Sequence, residues 1–471
     1  MIVRNPYING TTISGEAGTH DVINPFSGAV IGSVGYCSNE QIDSAIASAA
    51  SAFQAKELTT ATRSEILSNA AKLLSDLSEE CARLITAESG KPIAYSRIEV
   101  SRGIFTLEAS AKAAIASENV FDVDAMGASN AAGKDISFRY FPAGPVAAIT
   151  PFNFPLNLAL HKVAPAIGCG CPVLLKPPPQ TPLTAFFLCD ILAQSGLPAG
   201  WLNVVPCEND VAQAMIQDER IKTVSFTGSA VVGWKLKELV PKKKVTLELG
   251  GNAAIIVDEV KDWDKLIKSM CVAGFYYAGQ VCISLQRLLV ANHLYDELLE
   301  RLLATVAEIK VGDPLNDDVL VGPMISEKEA KRAWGWVAEA QGLGATRHTG
   351  EYRAPNWITP VVMTNVPIES NLYKEEAFSP VVLAESYDYF EEALRKVNSS
   401  RYGLQTGVYT SDAEKIQLAY NTLEVGGVIV NDTTTFRVDT MPYGGVKDSG
   451  FGREGVEWAM REMSEVRVLV V

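Results

Sequence analysis

Cys282 is the residue of this chain whose setting most favours covalent chemistry. It lies within residues 279–284 (GQVCIS), where a glycine-led turn could leave the thiol accessible. A thiolate is the strongest side-chain nucleophile near neutral pH. Taken alone, a cysteine in this setting is more often a buried structural thiol, because free cysteine is among the most buried residue types. The prediction of a nucleophile therefore depends on the groups that accompany it.

Two further segments carry polar groups that such a nucleophile would need. Glu248 ends a strand-like run and precedes two glycines, and a carboxylate at the mouth of a sheet could activate water. Asn153 lies between Pro151 and Pro155, which fix the backbone around a side-chain amide donor of the kind that an oxyanion hole requires. Each also has an ordinary interpretation. Glu248 could be a solvated carboxylate at the end of a strand, and Asn153 could lie in a proline-bounded turn.

Residues 226–233 (FTGSAVVG) could bind phosphate. They follow a strand-like run and open a predicted helix, so the turn at Gly228 and Ser229 would offer free backbone N–H groups. The segment lacks the G-x-G-x-x-G pattern, and as a lone motif it is a weak signal.

Strands that alternate with helices would position these groups. Residues 38–118 are predicted to be helical, and short apolar strands follow from about residue 145, with a helix over residues 182–196. This alternation predicts a parallel sheet with crossover helices, and such sheets bind ligands at the carboxyl ends of their strands. Four candidate sites lie at such ends: Asn153, Lys176, Gly228 and Glu248.

A second alternation runs from residue 253 to about residue 430 and predicts a second α/β domain. Residues around 121–141 and the run 465–471 fit neither domain and are typical of exposed apolar strands. Such strands are an aggregation liability unless they are paired. We expect these two to pair with each other and with another subunit, which predicts an oligomer.

Composition excludes several classes of function. A chain of 471 residues, 47% hydrophobic and 20% charged, suits a globular protein of two or three domains. Its net charge of −14 argues against nucleic acid or an anionic membrane as a partner. We find no signal peptide at the N-terminus and no run of the roughly 18 apolar residues that a membrane span needs. The eight cysteines form no metal-binding pattern and indicate buried thiols in a reducing compartment, which predicts a cytoplasmic enzyme.

Taken in chain order, the segments around Asn153, Ser229, Glu248 and Cys282 resemble the aldehyde dehydrogenase superfamily. The resemblance extends over nearly the whole chain and is closest in style to the lactaldehyde, phosphonoacetaldehyde and non-phosphorylating glyceraldehyde-3-phosphate types. Further matching segments are 176–177 (KP), 181–182 (TP), 375–380 (EEAFSP), 431–432 (ND) and 442–450 (PYGGVKDSG).

The resemblance implies an α/β fold in three parts. A Rossmann-like cofactor-binding domain would comprise residues 1–120 and 142–247, and an α/β catalytic domain residues 248–445. A small β oligomerisation element would comprise residues 121–141 and 446–471. A homodimer or homotetramer is expected.

The resemblance also implies a role for each candidate residue. Cys282 would attack the aldehyde carbon, the Asn153 amide and the Cys282 N–H would hold the oxyanion, and Glu248 would activate the water that hydrolyses the thioester. Hydride would pass to NAD or NADP. Lys176 matches the adenine-ribose lysine, Ser229 a pyrophosphate contact, and Glu376 and Phe378 the nicotinamide contacts. The implied cofactor-binding residues are Ile149, Thr150, Phe152, Lys176, Gly228, Ser229, Leu249, Glu376 and Phe378.

Three positions depart from the family pattern. The residue three after Lys176 is Pro179, where NAD-preferring members often have a glutamate that bonds the ribose 2′-hydroxyl. Without that carboxylate nothing at this position repels a 2′-phosphate, with which Lys176 could pair, so we expect NADP to be preferred and NAD accepted. Cys207 and Ser379 replace glycines of many relatives, and neither is expected to affect the chemistry.

A small polar aldehyde is the expected substrate, because residues 433–439 (TTTFRVD) are similar to the branch that oxidises such aldehydes. Arg102, Arg287 and Arg437 are candidates to face an anionic substrate tail. Each has a structural alternative, and Arg102 could instead pair with Glu99 at i,i+3.

Two rival functions remain at this stage. A CoA-acylating dehydrogenase would share the fold and the thiol but usually lacks the water-activating glutamate, so Glu248 argues against it. A non-catalytic structural protein on the same scaffold would tend to lose the nucleophile, which this chain retains as Cys282.

Overall fold

The computed structural model describes residues 1–126 and 128–471; position 127, inside the predicted segment 121–141, lies outside the described residues. The helices are α1 (Asn39–Ala55), α2 (Thr60–Asp76), α3 (Ser78–Ser89), α4 (Ile93–Ala116), α5 (Asn157–Cys169), α6 (Leu183–Gln194), α7 (Asn209–Gln217), α8 (Ala230–Leu239), α9 (Trp263–Phe275), α10 (Asn292–Ala307), α11 (Glu327–Gly342), α12 (Asn371–Lys374), α13 (Phe390–Asn398), α14 (Ala413–Thr422) and α15 (Val456–Glu462).

The strands are β1 (Ile2–Arg4), β2 (Tyr7–Ile8), β3 (Thr11–Thr12), β4 (Thr19–Ile23), β5 (Val30–Gly35), β6 (Phe121–Asp122), β7 (Ile136–Pro142), β8 (Val146–Ile149), β9 (Val173–Lys176), β10 (Leu202–Val204), β11 (Thr223–Thr227), β12 (Lys244–Glu248), β13 (Ala254–Val257), β14 (Arg287–Ala291), β15 (Thr346–Arg347), β16 (Tyr352–Arg353), β17 (Trp357–Ile358), β18 (Val361–Thr364), β19 (Val381–Tyr387), β20 (Tyr402–Gly403), β21 (Gln405–Tyr409), β22 (Gly427–Val430), β23 (Val446–Lys447), β24 (Gly450–Phe451) and β25 (Ser464–Val470).

The first large sheet has the strand order β24-β12-β11-β8-β9-β10-β2-β3. Its central strands β12, β11, β8, β9 and β10 are parallel, as the alternation of strands and helices predicts. Helix α5, between β8 and β9, is buried along its whole length. The carboxyl ends of these strands therefore lie along one edge, where Lys176 and Glu248 end β9 and β12.

The predicted helical region 38–118 consists of α1 to α4. Helix α1 begins with a capping box, in which the Ser38 hydroxyl accepts a hydrogen bond from the Gln41 N–H and the Gln41 side chain accepts one from the Ser38 N–H. The strands β1 to β5 that precede this region are a finding of the structure. Two of them, β2 and β3, extend the first sheet, and the other three form a small sheet of order β1-β5-β4.

The second large sheet has the order β15-β18-β19-β14-β13-β21-β22 and confirms the second α/β region. Strands β18, β19, β14, β13, β21 and β22 are parallel, and β15 is an antiparallel edge. Its core is formed with helices that include α9, α10 and α11. In the described part of the chain, no helix combines the length and apolar character that crossing a membrane requires.

The two apolar strands outside the domains do pair with each other. β25 runs antiparallel to β7, with Ser464 opposite Pro142 and Val470 opposite Ile136. In contrast, β24 pairs with β12 and α15 packs on α5, so the stretch 450–462 belongs to the first sheet and its helices. The sequence-based assignment of all of 446–471 to an oligomerisation element is therefore too broad.

A buried ion pair ties α4 to the start of α5. Lys91 and Glu99 are paired and almost fully buried. The other carboxylate oxygen of Glu99 accepts hydrogen bonds from the N–H groups of Leu156 (2.9 Å) and Asn157 (3.1 Å). The Lys91 ammonium lies 3.7 Å from the centre of the Phe154 ring, and burial lowers its pKa to about 8 although Glu99 opposes that shift. This pair fixes the loop that enters α5.

Glu99→Gln is expected to lower the free energy of unfolding by about 3–5 kcal/mol, because it leaves the Lys91 cation buried without a counter-charge. Urea denaturation followed by fluorescence measures this difference. Glu108→Gln, at an exposed position of the same helix, is the matched control and should have a small effect. An unchanged unfolding midpoint for Glu99→Gln would show that the pair does not hold this loop.

Candidate active site

A cavity of about 550 Å³ is lined by the ends of β11 and β12 of the first large sheet and by helices and loops from both α/β regions. It brings together the three residues that the sequence marks for chemistry: Cys282, Glu248 and Asn153. Other predicted site residues in its lining are Phe152, Gly228, Ser229, Leu249, Glu376, Phe378, Arg102 and Arg437. The cavity thus gathers residues that are far apart in the sequence.

Cys282 is partly exposed, whereas each of the other cysteines is buried. Its Sγ lies 3.5 Å from the hydroxyl of Tyr443. Burial raises the pKa of the Cys282 thiol to about 11, and the hydrogen bond from Tyr443 and the charge of Arg437 oppose that rise. The group is accordingly a thiol at neutral pH before other charges enter the cavity.

The chain reaches Cys282 through a turn of unusual backbone conformation. Tyr277, Ala278 and Gly279 have φ values of 53°, 54° and 66°, in the left-handed region. For the two residues that are not glycine this costs roughly 1–3 kcal/mol each. A Cβ on Gly279 would lie 2.2 Å from the carbonyl oxygen of Ser379, so only glycine fits. The buried side chain of Tyr277 stabilises the turn by donating from its hydroxyl to the Ser89 carbonyl (3.2 Å).

Asn153 is connected directly to this turn. Its side-chain nitrogen donates to the carbonyl oxygen of Gln280, two residues before Cys282, at 3.0 Å. An amide nitrogen carries two hydrogens, so one donor remains available in this buried position. The arrangement can present an N–H group beside the thiol, as an oxyanion hole requires.

Both carboxylate oxygens of Glu248 are buried and make no hydrogen bond to the described residues. Burial raises the pKa of Glu248 well above its usual range, the neighbouring Glu454 raises it further, and Arg437 and Lys162 oppose the shift. A Cβ on Gly444 would lie 2.7 Å from one of the oxygens, so a glycine there lets the backbone pass close to Glu248. A carboxyl group held in this way can exchange a proton with water in the cavity.

A group of charged side chains contributes to the cavity wall through Arg102, His161 and Arg437. Arg102 donates two hydrogen bonds to Asp439, at 2.6 and 3.1 Å, and His161 Nε2 lies 3.0 Å from the same carboxylate. Arg437 donates to His161 Nδ1 at 2.9 Å, and its guanidinium lies 3.7 Å from the centre of the Tyr443 ring. Because arginine can only donate, Nδ1 accepts this hydrogen bond and Nε2 donates to Asp439.

The same group continues to Glu454, one oxygen of which accepts from Lys162 (2.6 Å) and the other from Arg437 (3.4 Å). Although burial raises them, nearby cations and hydrogen bonds hold the pKa values of Asp439 and Glu454 well below their usual range. Three cations therefore face two ionised carboxylates, which leaves one net positive charge. We call this set the arginine cluster: Arg102, His161, Lys162, Arg437, Asp439 and Glu454.

Other residues of the cavity lining have features that suit a nicotinamide nucleotide. Phe152 and Phe378 meet edge to face, with ring centres 5.9 Å apart. Glu376 accepts from the Gly251 N–H at 3.0 Å, and a Cβ on Gly250 would lie 2.2 Å from this carboxylate. Ser229 precedes α8 without forming a side-chain cap, so N–H groups of the first turn are available to phosphate. An aromatic pair, a carboxylate and a helix N-terminus fit the ring, ribose and phosphates of such a molecule.

Ile149, Thr150 and Lys176 lie together at the carboxyl edge of the first sheet, outside the lining of this cavity. Ile149 is opposite Lys176 in the register of β8 and β9, and the Thr150 N–H donates to the Lys176 carbonyl at 3.3 Å. They therefore lie at the edge where open parallel sheets bind ligands, outside the cavity that contains Cys282.

The family model of the aldehyde dehydrogenase family matches residues 12–469. The chain belongs to the aldehyde dehydrogenase family. A 3-sulfolactaldehyde dehydrogenase of Priestia aryabhattai is 37% identical over 468 residues, which cover 99% of this chain and 97% of that protein.

Solved aldehyde dehydrogenases confirm the fold. Aldehyde dehydrogenase 21 from Physcomitrella patens, in complex with the reaction product succinate, has a TM-score of 0.97 and 42% identity, covering 100% of this chain and 98% of that one. A glyceraldehyde-3-phosphate dehydrogenase from Methanocaldococcus jannaschii, complexed with NADP, has a TM-score of 0.91 and 35% identity. The match covers 96% of this chain and 98% of that one. The chain is therefore an NAD(P)-dependent oxidoreductase with the aldehyde dehydrogenase fold, as its motifs predict.

In this aldehyde dehydrogenase, Arg287 does not reach the cavity. It is fully buried and donates to the carbonyl oxygens of Lys396 (2.8 Å) and Val397 (3.4 Å) at the end of α13. A cation at a helix C-terminus compensates the helix dipole. We correct the expectation that Arg287 contacts the substrate, because its guanidinium is used within the catalytic sheet and its helices.

Sequence reasoning missed two parts of this site. It singled out no histidine, yet His161 joins the arginine cluster. It also offered Glu99 as the partner of Arg102, whereas the structure pairs Arg102 with Asp439. Tyr443, whose hydroxyl lies beside the thiol, belongs to the segment 442–450 that resembles the family. That resemblance is the one feature of the sequence that could have indicated its position.

Glu454→Gln is expected to move the acid limb of the pH–rate profile of this aldehyde dehydrogenase to lower pH. Glu248 must lose its proton to act on water, and removal of the neighbouring negative charge makes that loss easier, so its pKa falls. The rate of single-turnover hydrolysis of the acyl-enzyme, measured from pH 5 to pH 9, gives the position of the acid limb. Glu457→Gln, on the exposed face of α15, is the control, and near-ultraviolet circular dichroism checks that each variant is folded. A shift to higher pH, or none, would contradict this electrostatic account.

Proposed function

We propose that this chain oxidises a small aldehyde with an anionic tail to the carboxylic acid. The observation that carries the proposal is the arginine cluster, whose net positive charge lies in the same cavity as Cys282. Arg102 and Arg437 line that cavity and would receive the anionic tail, while the aldehyde group reaches the thiol.

The proposed chemistry begins at Cys282. The thiol passes its proton to water, the resulting thiolate forms a bond to the aldehyde carbon, and the Asn153 amide and the Cys282 N–H hold the oxyanion. A bound nicotinamide nucleotide supplies the hydride acceptor. Loss of hydride leaves an acyl thioester on Cys282. Glu248, ionised once its own proton has passed to solvent, takes a proton from water, the hydroxide adds to the thioester carbon, and the C–S bond breaks to give the acid and the free thiolate.

We assign the cofactor contacts by their position. Gly228 and Ser229 would bind phosphate at the start of α8, Glu376 the nicotinamide ribose, and Phe378 the ring. Phe152 and Leu249 would pack beside these groups, and Ile149, Thr150 and Lys176 would contact the adenosine part. The close approach of Gly250 to Glu376 supports this assignment, because any side chain there would displace the carboxylate.

The cofactor is proposed to be NAD or NADP. Pro179 provides no carboxylate after Lys176, which is the basis of the expectation of NADP. The NADP complex of the relative from Methanocaldococcus jannaschii supports accommodation of NADP by this fold.

The relatives support an anionic substrate. One of them is named for 3-sulfolactaldehyde, which carries a sulfonate, and another was solved with the dicarboxylate succinate as its reaction product. We therefore propose as substrates aldehydes that carry a carboxylate or sulfonate two or three carbons from the carbonyl group. Release of free acid is favoured over transfer to CoA because Glu248 is present and lines the cavity.

We propose that the chain forms a homodimer or homotetramer and works in the cytoplasm. Large apolar side chains on β25, among them Val468 (57% exposed) and Leu469 (61% exposed), support burial of this strand by a second copy. The proposed domains are 1–120 with 142–247 for the cofactor and 248–445 for catalysis, with β7 and β25 as the oligomerisation element. The free cysteines support a reducing compartment.

Arg102→Gln is expected to lower kcat/KM for succinic semialdehyde and 3-sulfolactaldehyde by about 10–100-fold, since a hydrogen bond to a charged group contributes about 1.5–3 kcal/mol. For the neutral aldehyde butanal the loss should be less than about threefold. Reduced nicotinamide measured at 340 nm gives both values. Arg97→Gln, which removes an exposed arginine from the same helix, is the control. Equal losses for charged and neutral aldehydes would refute recognition of an anion by Arg102.

A further inference from the structure

We propose that Glu208 discriminates between the two dinucleotides at the adenosine ribose and makes this chain prefer NAD over NADP. The inference rests on the proposed function, because it takes Lys176 to face that ribose. It reverses the expectation of NADP that follows from Pro179, since it places a carboxylate near the lysine from another strand.

Glu208 and Lys176 leave the same edge of the sheet on neighbouring strands. β9 and β10 are parallel, with Leu175 opposite Val204, and the Val205 N–H donates to the Leu175 carbonyl at 2.9 Å. Lys176 ends β9, and Glu208 follows four residues after the end of β10, immediately before α7. The two residues therefore leave the carboxyl edge of the sheet side by side, and open parallel sheets bind ligands along this edge.

The segment that carries Glu208 is fixed in place. The Pro206 carbonyl accepts from the Cys37 N–H at 2.8 Å, and a Glu208 oxygen lies 3.1 Å from His20 Nε2. His20 stacks on Tyr36, with ring centres 3.8 Å apart. The Glu208 side chain is 57% exposed and makes no cap to α7, so its carboxylate is accessible to a ligand at this edge of the sheet.

Glu208 is the ionised group that acts on Lys176. Lys176 is almost fully buried and makes no ion pair within residues 1–126 and 128–471. Burial lowers the pKa of the Lys176 ammonium, and Cys207 and Glu208 oppose that shift. Burial also raises the pKa of Cys207 to about 11, so its thiol is neutral at pH 7 and Glu208 provides the negative charge.

A carboxylate here distinguishes the two cofactors by charge. The 2′-hydroxyl of NAD can donate a hydrogen bond to Glu208 while Lys176 holds the ribose from the other side. The 2′-phosphate of NADP carries a charge of about −1.5 to −2 and would be repelled by the carboxylate, although Lys176 attracts it. One lysine opposed by one glutamate leaves no net positive charge for a phosphate.

Binding to the enzyme without substrate tests the proposal independently of turnover. Isothermal titration calorimetry with NAD⁺ and NADP⁺ should give an affinity for NAD⁺ at least about tenfold higher in the unaltered chain. Glu208→Gln should bind NADP⁺ about tenfold more tightly and NAD⁺ a few-fold more weakly, which corresponds to about 1.4 kcal/mol for each tenfold change. The ratio of kcat/KM values for the two cofactors should change in the same direction.

Asp210→Asn is the matched control, because it removes an equal charge from the first turn of α7 and should leave the affinity ratio unchanged. Preference for NADP⁺ in the unaltered chain, or an unchanged ratio in Glu208→Gln, would overturn the role of Glu208 while both dinucleotides still bind. Failure of every variant to bind either dinucleotide would instead overturn the proposed function as well.

Discussion

Burial of charge is the physical constraint on which this site depends. The cavity raises the pKa values of Cys282 and Glu248 together, so that both groups are uncharged before substrate and cofactor enter. Arg437 opposes both shifts, because its guanidinium belongs to the same cavity. The reactivity of the proposed nucleophile and base is thus set by a small number of buried charges, and each of them must be held in place.

Buried ion pairs hold the segments that carry these groups. Lys91 and Glu99 fix the start of α5, and Glu454 connects Lys162 of α5 to Arg437 in the loop before β23. Such pairs add little net stability compared with apolar packing, and the loss of one partner is strongly destabilising. In this chain the effect of these pairs is to fix the positions of the segments that they join. They hold the loop of Asn153 and the arginine cluster in the same cavity as Cys282.

Much of the fold could be predicted from the sequence, because the apolar strands and amphipathic helices of both sheets alternate regularly. The convergence of Asn153, Glu248 and Cys282 in one cavity agrees with their motifs, whereas their catalytic roles stay a prediction. The short strands β1 to β5 were not predicted, since they lack a sustained apolar pattern. Contacts such as Arg102 with Asp439, and the position of Glu208 relative to Lys176, join residues far apart in the chain, and no local pattern encodes them.

The most direct test of the account is the mass of the peptide that contains Cys282 after the enzyme reacts with aldehyde and cofactor and is quenched in acid. The Glu248→Gln variant should accumulate an acyl adduct on Cys282, because the thioester forms but its hydrolysis is slowed. The adduct should be absent from Cys282→Ala, which should also produce no reduced nicotinamide. Formation of reduced nicotinamide by Cys282→Ala at the rate of the unaltered chain would contradict covalent catalysis at this thiol.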